Sequence, residues 1–359
     1  MKKNVKRISI TLAAIMALSL TACGGGSGSG GSASGSAGTE GTASAASTPA
    51  TTSGGEVVKI SFAGVTSSSA KEASELWKEI VERETGGSLE ITLFPDNMLA
   101  DDRVAVETTQ FGDIDMATSS TSPLCTMYAD FYLFDSPYLF LNKQEVYDYI
   151  DSDLGKQMLD GLEGVGLKGM MLWENGFRNF TNNKVAASSP DDVKGMKVRT
   201  MENEVHLAAW KAFGANPTPM AFAEVFTALQ QGTIDAQENP LGIIDANKFQ
   251  EVQKYVSQTQ HVYTPYIIVM NLDKWNSLTP EQQAAMEKAN KEATEFQRKR
   301  SQELEDEILT NFEAQGVTVV NLSDAEKSVF QKVIQDNNIF DIVKEKMTHP
   351  EWLDEILAR

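Results

Sequence analysis

Two arginines are the first candidates for holding an anion. Arg199 lies in the stretch GMKVRTMEN, at the exit of a short alternating run that predicts a strand. Arg178 lies in WENGFRNFTNN, after an apolar segment that predicts a strand ending at Trp173. A guanidinium is a planar cation whose N–H donors match a carboxylate in two parallel hydrogen bonds. Each arginine is therefore either an anion clamp or a solvated surface charge, and spacing alone leaves both open.

Three uncharged side chains near these stretches are also candidates. Phe222, in TPMAFAEVF, either walls a pocket or packs in a core. Asn239 precedes Pro240, which favours an extended backbone, so its amide either points at a ligand or caps the next helix. Trp173 either stacks on a ligand ring or packs at the end of its strand. The pattern does not decide among these alternatives.

The motifs of common catalytic and metal sites are missing from the sequence. Its three histidines, His206, His261 and His349, have no metal-ligand spacing, and neither a G-x-S-x-G elbow nor a Walker loop occurs. The segment 151–155 begins like a calcium loop, but Leu162 stands where such a loop needs a glutamate. We therefore predict no cofactor, no metal site and no catalytic residues.

The N-terminus has the pattern of a secretory signal. Four basic residues precede an apolar stretch from Ile8 to Leu20, which is too short to span a membrane as a helix. The following LTAC, ending at Cys23, resembles the lipobox of bacterial lipoproteins, in which the cysteine is lipidated. We expect a signal peptide over residues 1–22 and a lipid anchor on Cys23, with an ordinary cleaved signal as the alternative.

Composition limits the partners of the exported chain. The net charge of −19 becomes −23 when residues 1–22, with four basic and no acidic residues, are removed. So acidic a chain does not favour nucleic acid or anionic lipid. With Cys23 lipidated, only Cys125 remains, so no intramolecular disulfide can form. Residues 23–55 supply the cysteine and a Gly/Ser/Ala/Thr-rich stretch that predicts a flexible linker.

The rest of the chain alternates strands and helices. A strand in EVVKISFAG, a helix over 70–85, a strand in SLEITLFP and a helix over 101–111 predict an α/β lobe with a largely parallel sheet. The tetrapeptide pattern G-x-I-D follows a helix twice, at Gly112 and Gly232, which indicates two similar lobes. Thr279, Pro280 and Gln282 have the arrangement of a helix start with a capping box, and apolar residues at helical spacing follow at Met286, Ala293, Phe296, Leu304, Ile308 and Phe312 up to Gly316. This helix would span roughly 55 Å at 1.5 Å per residue and run along both lobes. A coiled coil is the alternative for this segment.

Several stretches resemble the solute-binding proteins of tripartite ATP-independent periplasmic (TRAP) transporters. They are PDDVKGMKVRTMEN, GANPTPMAFAEVFTALQQGTIDAQENPL, KFQEVQKYV, FPDNMLADDR and FGDIDMATSS, and the resemblance covers nearly all of 56–340. It implies a two-lobed α/β periplasmic-binding-protein-like fold with a long lobe-spanning helix, closing over an organic acid. We expect lobe I to comprise 56–175 and 265–304, and lobe II 176–264 and 305–359.

The resemblance also implies roles for individual residues. The family's carboxylate-clamping arginine falls on Arg199, its second arginine on Arg178, the phenylalanine of MAF on Phe222 and the asparagine of QENP on Asn239. The sialic-acid-binding branch carries an acidic residue where this chain has Ser120, which disfavours sialic acid. His206, together with WENGFRNFTNN, resembles branches that take sugar acids or small dicarboxylates.

The family membership implied by these stretches gives a leading function. It is a lipid-anchored, extracytoplasmic receptor that captures a small carboxylate and delivers it to the membrane subunits of a TRAP permease. A secreted α/β enzyme acting on sugar acids is the alternative from another class, motivated by Glu174 near the expected cleft. A surface adhesion module, suggested by the linker, is the third.

Overall fold

The computed structural model describes residues 57–358, so the predicted signal peptide, Cys23 and the linker lie outside the described residues. The strands are β1 Val58–Ala63, β2 Leu89–Phe94, β3 Met116–Ser120, β4 Leu167–Asn182, β5 Lys197–Thr200, β6 Asn216–Pro219, β7 Ala236–Pro240, β8 Tyr255–Ser257, β9 Tyr263–Asn271 and β10 Thr318–Val320. The helices are α1 Ser68–Glu84, α2 Asp102–Phe111, α3 Lys143–Ile150, α4 Asp153–Gly161, α5 Pro190–Val193, α6 Glu204–Ala212, α7 Val225–Gln230, α8 Leu241–Ala246, α9 Leu272–Ser277, α10 Pro280–Ala314, α11 Asp324–Asp336, α12 Ile339–Lys346 and α13 Glu351–Leu357. Among these residues, no helix combines the length and apolar character that crossing a membrane requires.

The strands form two half-sheets that share β4. The strand order is β2-β1-β3-β9-β4-β7-β5-β6, with β8 paired to both β4 and β10. We call β2, β1, β3, β9 and the start of β4 the first half-sheet, and the end of β4 with β5–β8 and β10 the second. This mixed α/β architecture confirms the predicted fold class. The residue limits of the two lobes remain a prediction.

The expectation of a largely parallel sheet holds only for the outer strands. β1 is parallel to β2 and β3, and β5 is parallel to β6 and β7. In the centre of the sheet, β3 pairs with β9, β9 with β4 and β4 with β7, and each of these three pairs is antiparallel. The strand–helix alternation seen at the start of the chain could not predict this, because helices also separate β4 and β9 in the chain although these two strands pair antiparallel.

The two G-x-I-D stretches occupy equivalent places in the two half-sheets. Asp115, just before β3, accepts a hydrogen bond from Ser61 N of β1 at 2.7 Å. Asp235, just before β7, accepts one from Lys197 N of β5 at 2.9 Å. Each aspartate thus satisfies a main-chain donor of the neighbouring parallel strand, which gives the repeated pattern a structural reason.

β4 is longer than its apolar beginning predicted. The sequence analysis ended this strand at Trp173, whereas β4 continues to Asn182. Its register against β9 is irregular between Glu174 and Gly176, and Gly176 has φ of 112°. Residues before this bulge pair with β9, and residues from Arg178 onward pair with β7. Arg178 therefore lies within a strand where the half-sheets meet, and placing it at a strand end was wrong.

The long helix α10 confirms the predicted helix start and length. Thr279 and Gln282 form the capping box, and the 35 residues of the helix extend about 50 Å. Its predicted apolar seam is correct at Met286, Ala293, Ile308 and Phe312, which are buried, but Phe296 is exposed and Leu304 only partly buried.

The buried face of α10 becomes polar near the middle of the helix, because the peptide groups at the bulge of β4 need hydrogen-bond partners. The side chain of Gln297 is buried and accepts from Glu174 N at 2.8 Å while donating to Glu174 O at 2.7 Å. These bonds satisfy both peptide groups of the residue at which β4 loses its regular ladder with β9. The helix is thereby fixed to the junction between the half-sheets.

We predict that Gly176→Ala destabilises the fold. An alanine at φ of 112° adopts a conformation that side chains disfavour, at a cost of about 1–3 kcal/mol in the free energy of unfolding. Gly164→Ala is the control, because Gly164 has no positive φ and an added Cβ meets no atom within 4 Å. Urea denaturation measures both variants, and equal stability of the two would contradict the strain assigned to the bulge.

Candidate functional site

A cleft lined by both half-sheets contains most of the sequence-predicted site residues. It holds about 860 Å³ of space between atoms, including its open mouth. Its lining is Val65, Thr66, Asn97, Asp101, Asp102, Arg103, Val104, Ser120, Pro123, Asn175, Arg178, Arg199, Met201, Glu202, Met220, Ala221, Phe222, Asn239, Ile243 and Tyr266. The ends of β1, β3, β5 and β7 converge here, as expected for ligand sites of α/β sheets.

Arg199 lies on β5 and is buried to 2 % exposure. Its Nε and Nη2 donate to the carbonyl of Met220 at 3.0 and 2.7 Å, which orients the guanidinium. Its Nη1 is buried without a hydrogen-bond partner, and among the described residues no acid forms an ion pair with it. Burial and the neighbouring Arg178 lower the pKa of Arg199 to about 10. This cation is therefore oriented by the protein but not neutralised by it.

Arg178 is neutralised by a buried carboxylate. Its Nε lies 2.5 Å from Glu238 Oε2, and its Nη2 lies 3.0 Å from Oε1 of the same group. His261 Nε2 is 3.0 Å from Glu238 Oε2. Although burial opposes ionisation, the charge of Arg178 and the hydrogen bond with His261 lower the pKa of Glu238. The two arginines thus differ in their capacity to attract an anion, because the charge of Arg178 is already paired with Glu238 and that of Arg199 is not.

Asn239 and Phe222 complete the wall around the guanidiniums. Asn239 Oδ1 accepts from Arg178 Nη2 at 2.9 Å, and its Nδ2 donates to Gln237 at 2.5 Å. It does not cap α8, whose N-cap is Pro240. Phe222 is half-buried, with its ring centre 5.9 Å from the guanidinium carbon of Arg199 and 6.0 Å from the ring centre of Phe249. Of the alternatives left open by the sequence, the geometry places both side chains on the cleft.

Ser120 lies at the end of β3, where it meets an acidic residue that the sequence analysis did not select. Its N and Oγ lie 3.2 and 3.1 Å from Asp102 Oδ2. Burial and the charge of Asp101 raise the pKa of Asp102 to about 6. Both acids lie at the start of α2, where acids commonly cap a helix, and only the fold shows that this helix end faces the cleft. Tyr266 and Asn175 were also missed, because they lie in the middle of β9 and β4 and not at a strand end.

Two predicted site residues lie under α10 instead of in the cleft. Trp173 is fully buried and donates to Thr294 Oγ1 at 3.1 Å. The carboxylate of Glu174 is paired with Lys143 at 2.8 Å and accepts a hydrogen bond from the hydroxyl of Tyr147. Side chains of a strand point alternately to its two faces, and the bulge in β4 shifts this alternation. Trp173 and Glu174 can therefore point away from the cleft although Arg178 of the same strand lines it. The structure therefore gives both residues packing and positioning contacts away from the cleft.

His206 is also outside the cleft lining. It lies on α6, where its Nε2 is 3.0 Å from Asp135 Oδ1 in a buried polar cluster. Asn203, the N-cap of α6, donates to Asp135 Oδ2 at 2.7 Å. This cluster lies behind the cleft wall, because Ser122, which also donates to Asp135, closely follows Ser120. The resemblance that selected His206 as a ligand contact thus points to a residue that packs behind the cleft wall.

Known proteins match this chain in sequence over most of the described residues. Residues 61–338 match the family model described as bacterial extracellular solute-binding protein, family 7. The 2,3-diketo-L-gulonate-binding periplasmic protein YiaO of Escherichia coli is 36 % identical over 262 residues, covering 73 % of this chain and 79 % of its own.

Solved structures agree in fold as well as in sequence. The sugar acid binding protein DctPAm of Advenella mimigardefordensis, in complex with galactonate, is 32 % identical with a TM-score of 0.80, covering 84 % of this chain and 97 % of its own. A TRAP periplasmic solute-binding protein of Sulfurospirillum deleyianum with bound succinate is 27 % identical with a TM-score of 0.79, covering 84 % and 99 %. The family match and the two-lobed relatives show that this chain belongs to family 7 of the bacterial extracellular solute-binding proteins, the receptors of TRAP transporters.

Proposed function

We propose that this chain is a receptor that captures a small organic acid by its carboxylate at Arg199 and delivers it to a TRAP permease. The observation that carries the proposal is the buried Nη1 of Arg199, a residue that lines the cleft; this nitrogen has no hydrogen-bond partner within residues 57–358. A ligand carboxylate supplies both the missing acceptor and the missing negative charge.

The other cleft residues take secondary roles in this proposal. Arg178, already paired with Glu238, donates to a ligand hydroxyl or to a second oxygen of the carboxylate. Asn239 and Ser120 bind hydroxyls, and Phe222 covers an apolar face of the ligand. Trp173, Glu174 and His206 support the walls from outside, as their contacts with α10 and Asp135 indicate.

The ligand is proposed to be a sugar acid such as an aldonate or hexuronate, or a C4-dicarboxylate. Its relatives support this range, since YiaO is named for a diketo-gulonate and the two solved structures hold galactonate and succinate. Ser120 stands where the sialic-acid branch carries an acid, which continues to disfavour sialic acid. We assign no chemistry to the protein, because Glu174, which motivated an enzyme, is neutralised by Lys143 away from the cleft.

Delivery requires two conformations that the permease distinguishes. Because the cleft walls belong to both half-sheets, a ligand bound to Arg199 of one and Ser120 of the other favours the closed arrangement. We propose that the receptor stays on the extracytoplasmic face through a lipid on Cys23 and reaches the permease through the linker of residues 24–55. A lipid is its only proposed contact with the membrane besides the permease subunits.

We predict that Arg199→Ala weakens binding of galactonate by about a hundredfold or more. A bidentate charge-assisted pair contributes about 3 kcal/mol or more, which corresponds to that factor at room temperature. Isothermal titration calorimetry measures the change. Arg83→Ala is the control, because Arg83 lies on the exposed face of α1 and carries the same charge.

Affinity for every sugar acid and dicarboxylate that stays within a few-fold after Arg199→Ala, in a protein that melts normally, would contradict the clamp. A wild-type protein whose melting temperature rises with none of these acids, each at about a hundredfold its expected dissociation constant, would contradict the proposed function itself.

We predict that Cys23→Ser releases the receptor from the membrane. Lipidation needs the thiol, and a serine at this position cannot form the thioether, so the protein should move from the membrane fraction to the soluble extracytoplasmic fraction. Cys125→Ser is the matched control, because Cys125 is buried in the folded part. Incorporation of a clickable fatty acid, read on a gel, measures the change, and labelling that persists in Cys23→Ser would contradict the anchor.

A further inference from the structure

The charges around the cleft leave one positive position without a counter-ion. Arg178 is cancelled by Glu238, with which it forms a buried ion pair. Arg103 is half exposed at the rim, and it lies 3.7 Å from Glu107 and 3.8 Å from Glu202. Among the described lining residues, Arg199 is therefore the guanidinium that lacks a carboxylate. Arg199 is thus available to pair with a ligand carboxylate.

The wall contributed by α2 carries charge of the opposite sign. Asp101 is the N-cap of α2 and Asp102 its first residue, and both line the cleft. Asp102 is partly buried, and its two hydrogen bonds from Ser120 are both made to Oδ2. A hydroxyl of the ligand can donate to this carboxylate, whereas a second carboxylate cannot.

The titratable neighbours of Asp102 do not neutralise it. Asp101 lies beside it on the same helix end and repels it, which together with burial raises the pKa of Asp102 to about 6. Arg199 attracts it, but without an ion pair. Tyr266 on β9 also lies close enough to interact with this charge, and burial raises the pKa of that phenol above its usual value, so it stays neutral. Asp102 is therefore an anion at neutral pH that faces the space a ligand occupies.

We propose that Asp102 makes the cleft select an organic acid with one carboxylate and a hydroxyl-bearing chain over a dicarboxylate of similar length. This inference rests on the proposed function and narrows its ligand class from sugar acids and dicarboxylates to polyhydroxy monoacids. The first carboxylate pairs with Arg199, and hydroxyls elsewhere on the ligand donate protons to Asp102. A second carboxylate placed there meets Asp102 and Asp101 without a cation, and such a like-charge contact lowers affinity by roughly tenfold or more.

The test compares two ligands on two variants. Galactonate carries one carboxylate and several hydroxyls. Galactarate is the diacid of the same chain length, in which a second carboxylate replaces the terminal CH2OH, and both of its carboxylates remain ionised above about pH 5.5. Calorimetry at about pH 7.5 should show wild-type protein favouring galactonate. Asp102→Asn removes the charge, keeps a hydrogen-bond acceptor and adds a donor, so the ratio of the two dissociation constants should fall about tenfold or more. Asp113→Asn, an equal charge change on an exposed residue after α2, should leave the ratio unchanged.

Acidification provides the same test without substitution. Between about pH 7.5 and 5.5 Asp102 gains a proton, so the preference of wild-type protein for galactonate over galactarate should shrink, while that of Asp102→Asn stays constant. The ratio removes effects common to both ligands, including those of the first carboxylate on Arg199. A ratio that is independent of pH in wild-type protein, or unchanged by Asp102→Asn, would overturn the proposal.

The melting temperature of the ligand-free protein gives a further test that does not depend on ligand binding. The folded-state pKa of Asp102 is raised from 3.8 to about 6, so its ionisation opposes folding above that range and has no effect well below 3.8. Asp102→Asn should therefore raise the melting temperature at about pH 7.5, and the gain should vanish near pH 3.5. No gain at pH 7.5 would overturn the proposal, because the carboxylate would then not be held against repulsion. Failure of all acids to bind wild-type protein would instead refute the proposed function.

Discussion

The arrangement of this site depends on one constraint, which is the burial of a guanidinium without a carboxylate partner. Desolvating a cation is costly unless hydrogen bonds and an opposite charge compensate it, and Arg199 has only the carbonyl of Met220 for two of its nitrogens. The fold keeps this group in place through β5 and the turn that carries Met220. An anion that enters the cleft offsets the remaining desolvation cost of Arg199. The guanidinium is therefore less well compensated in the empty receptor than in the receptor with bound ligand.

The second arginine shows why a single free cation is an informative arrangement. Arg178 is as deeply buried as Arg199, but Glu238 and Asn239 accept its hydrogen bonds and His261 holds Glu238 from behind. Such a satisfied network orients donors without attracting charge by itself. The α2 wall adds Asp101 and Asp102 to the lining of the cleft. One free cation, one neutralised cation and an acidic wall together describe a ligand with one charged end and one hydroxyl-bearing end.

The sequence predicted the parts of this arrangement that depend on local pattern. The capping box at Thr279, the repeated G-x-I-D and the exit of β5 at Arg199 each follow from neighbouring residues, and the structure contains all three. The position of Arg178 was wrong because a bulge at Gly176 extends β4, and the sequence does not distinguish a glycine that ends a strand from one that bends it. Asp102 was overlooked because acids at a helix start are usually caps. Which way that helix end faces is decided by the packing of distant segments.

The central claim is that the ligand carboxylate pairs with the free nitrogen of Arg199. A crystal structure of this receptor with bound galactonate tests it most directly. The account predicts a carboxylate oxygen within about 3 Å of Arg199 Nη1, with the polyhydroxy chain directed toward Ser120 and Asp102. A carboxylate bound elsewhere in the cleft, with Nη1 still lacking a ligand oxygen, would contradict it.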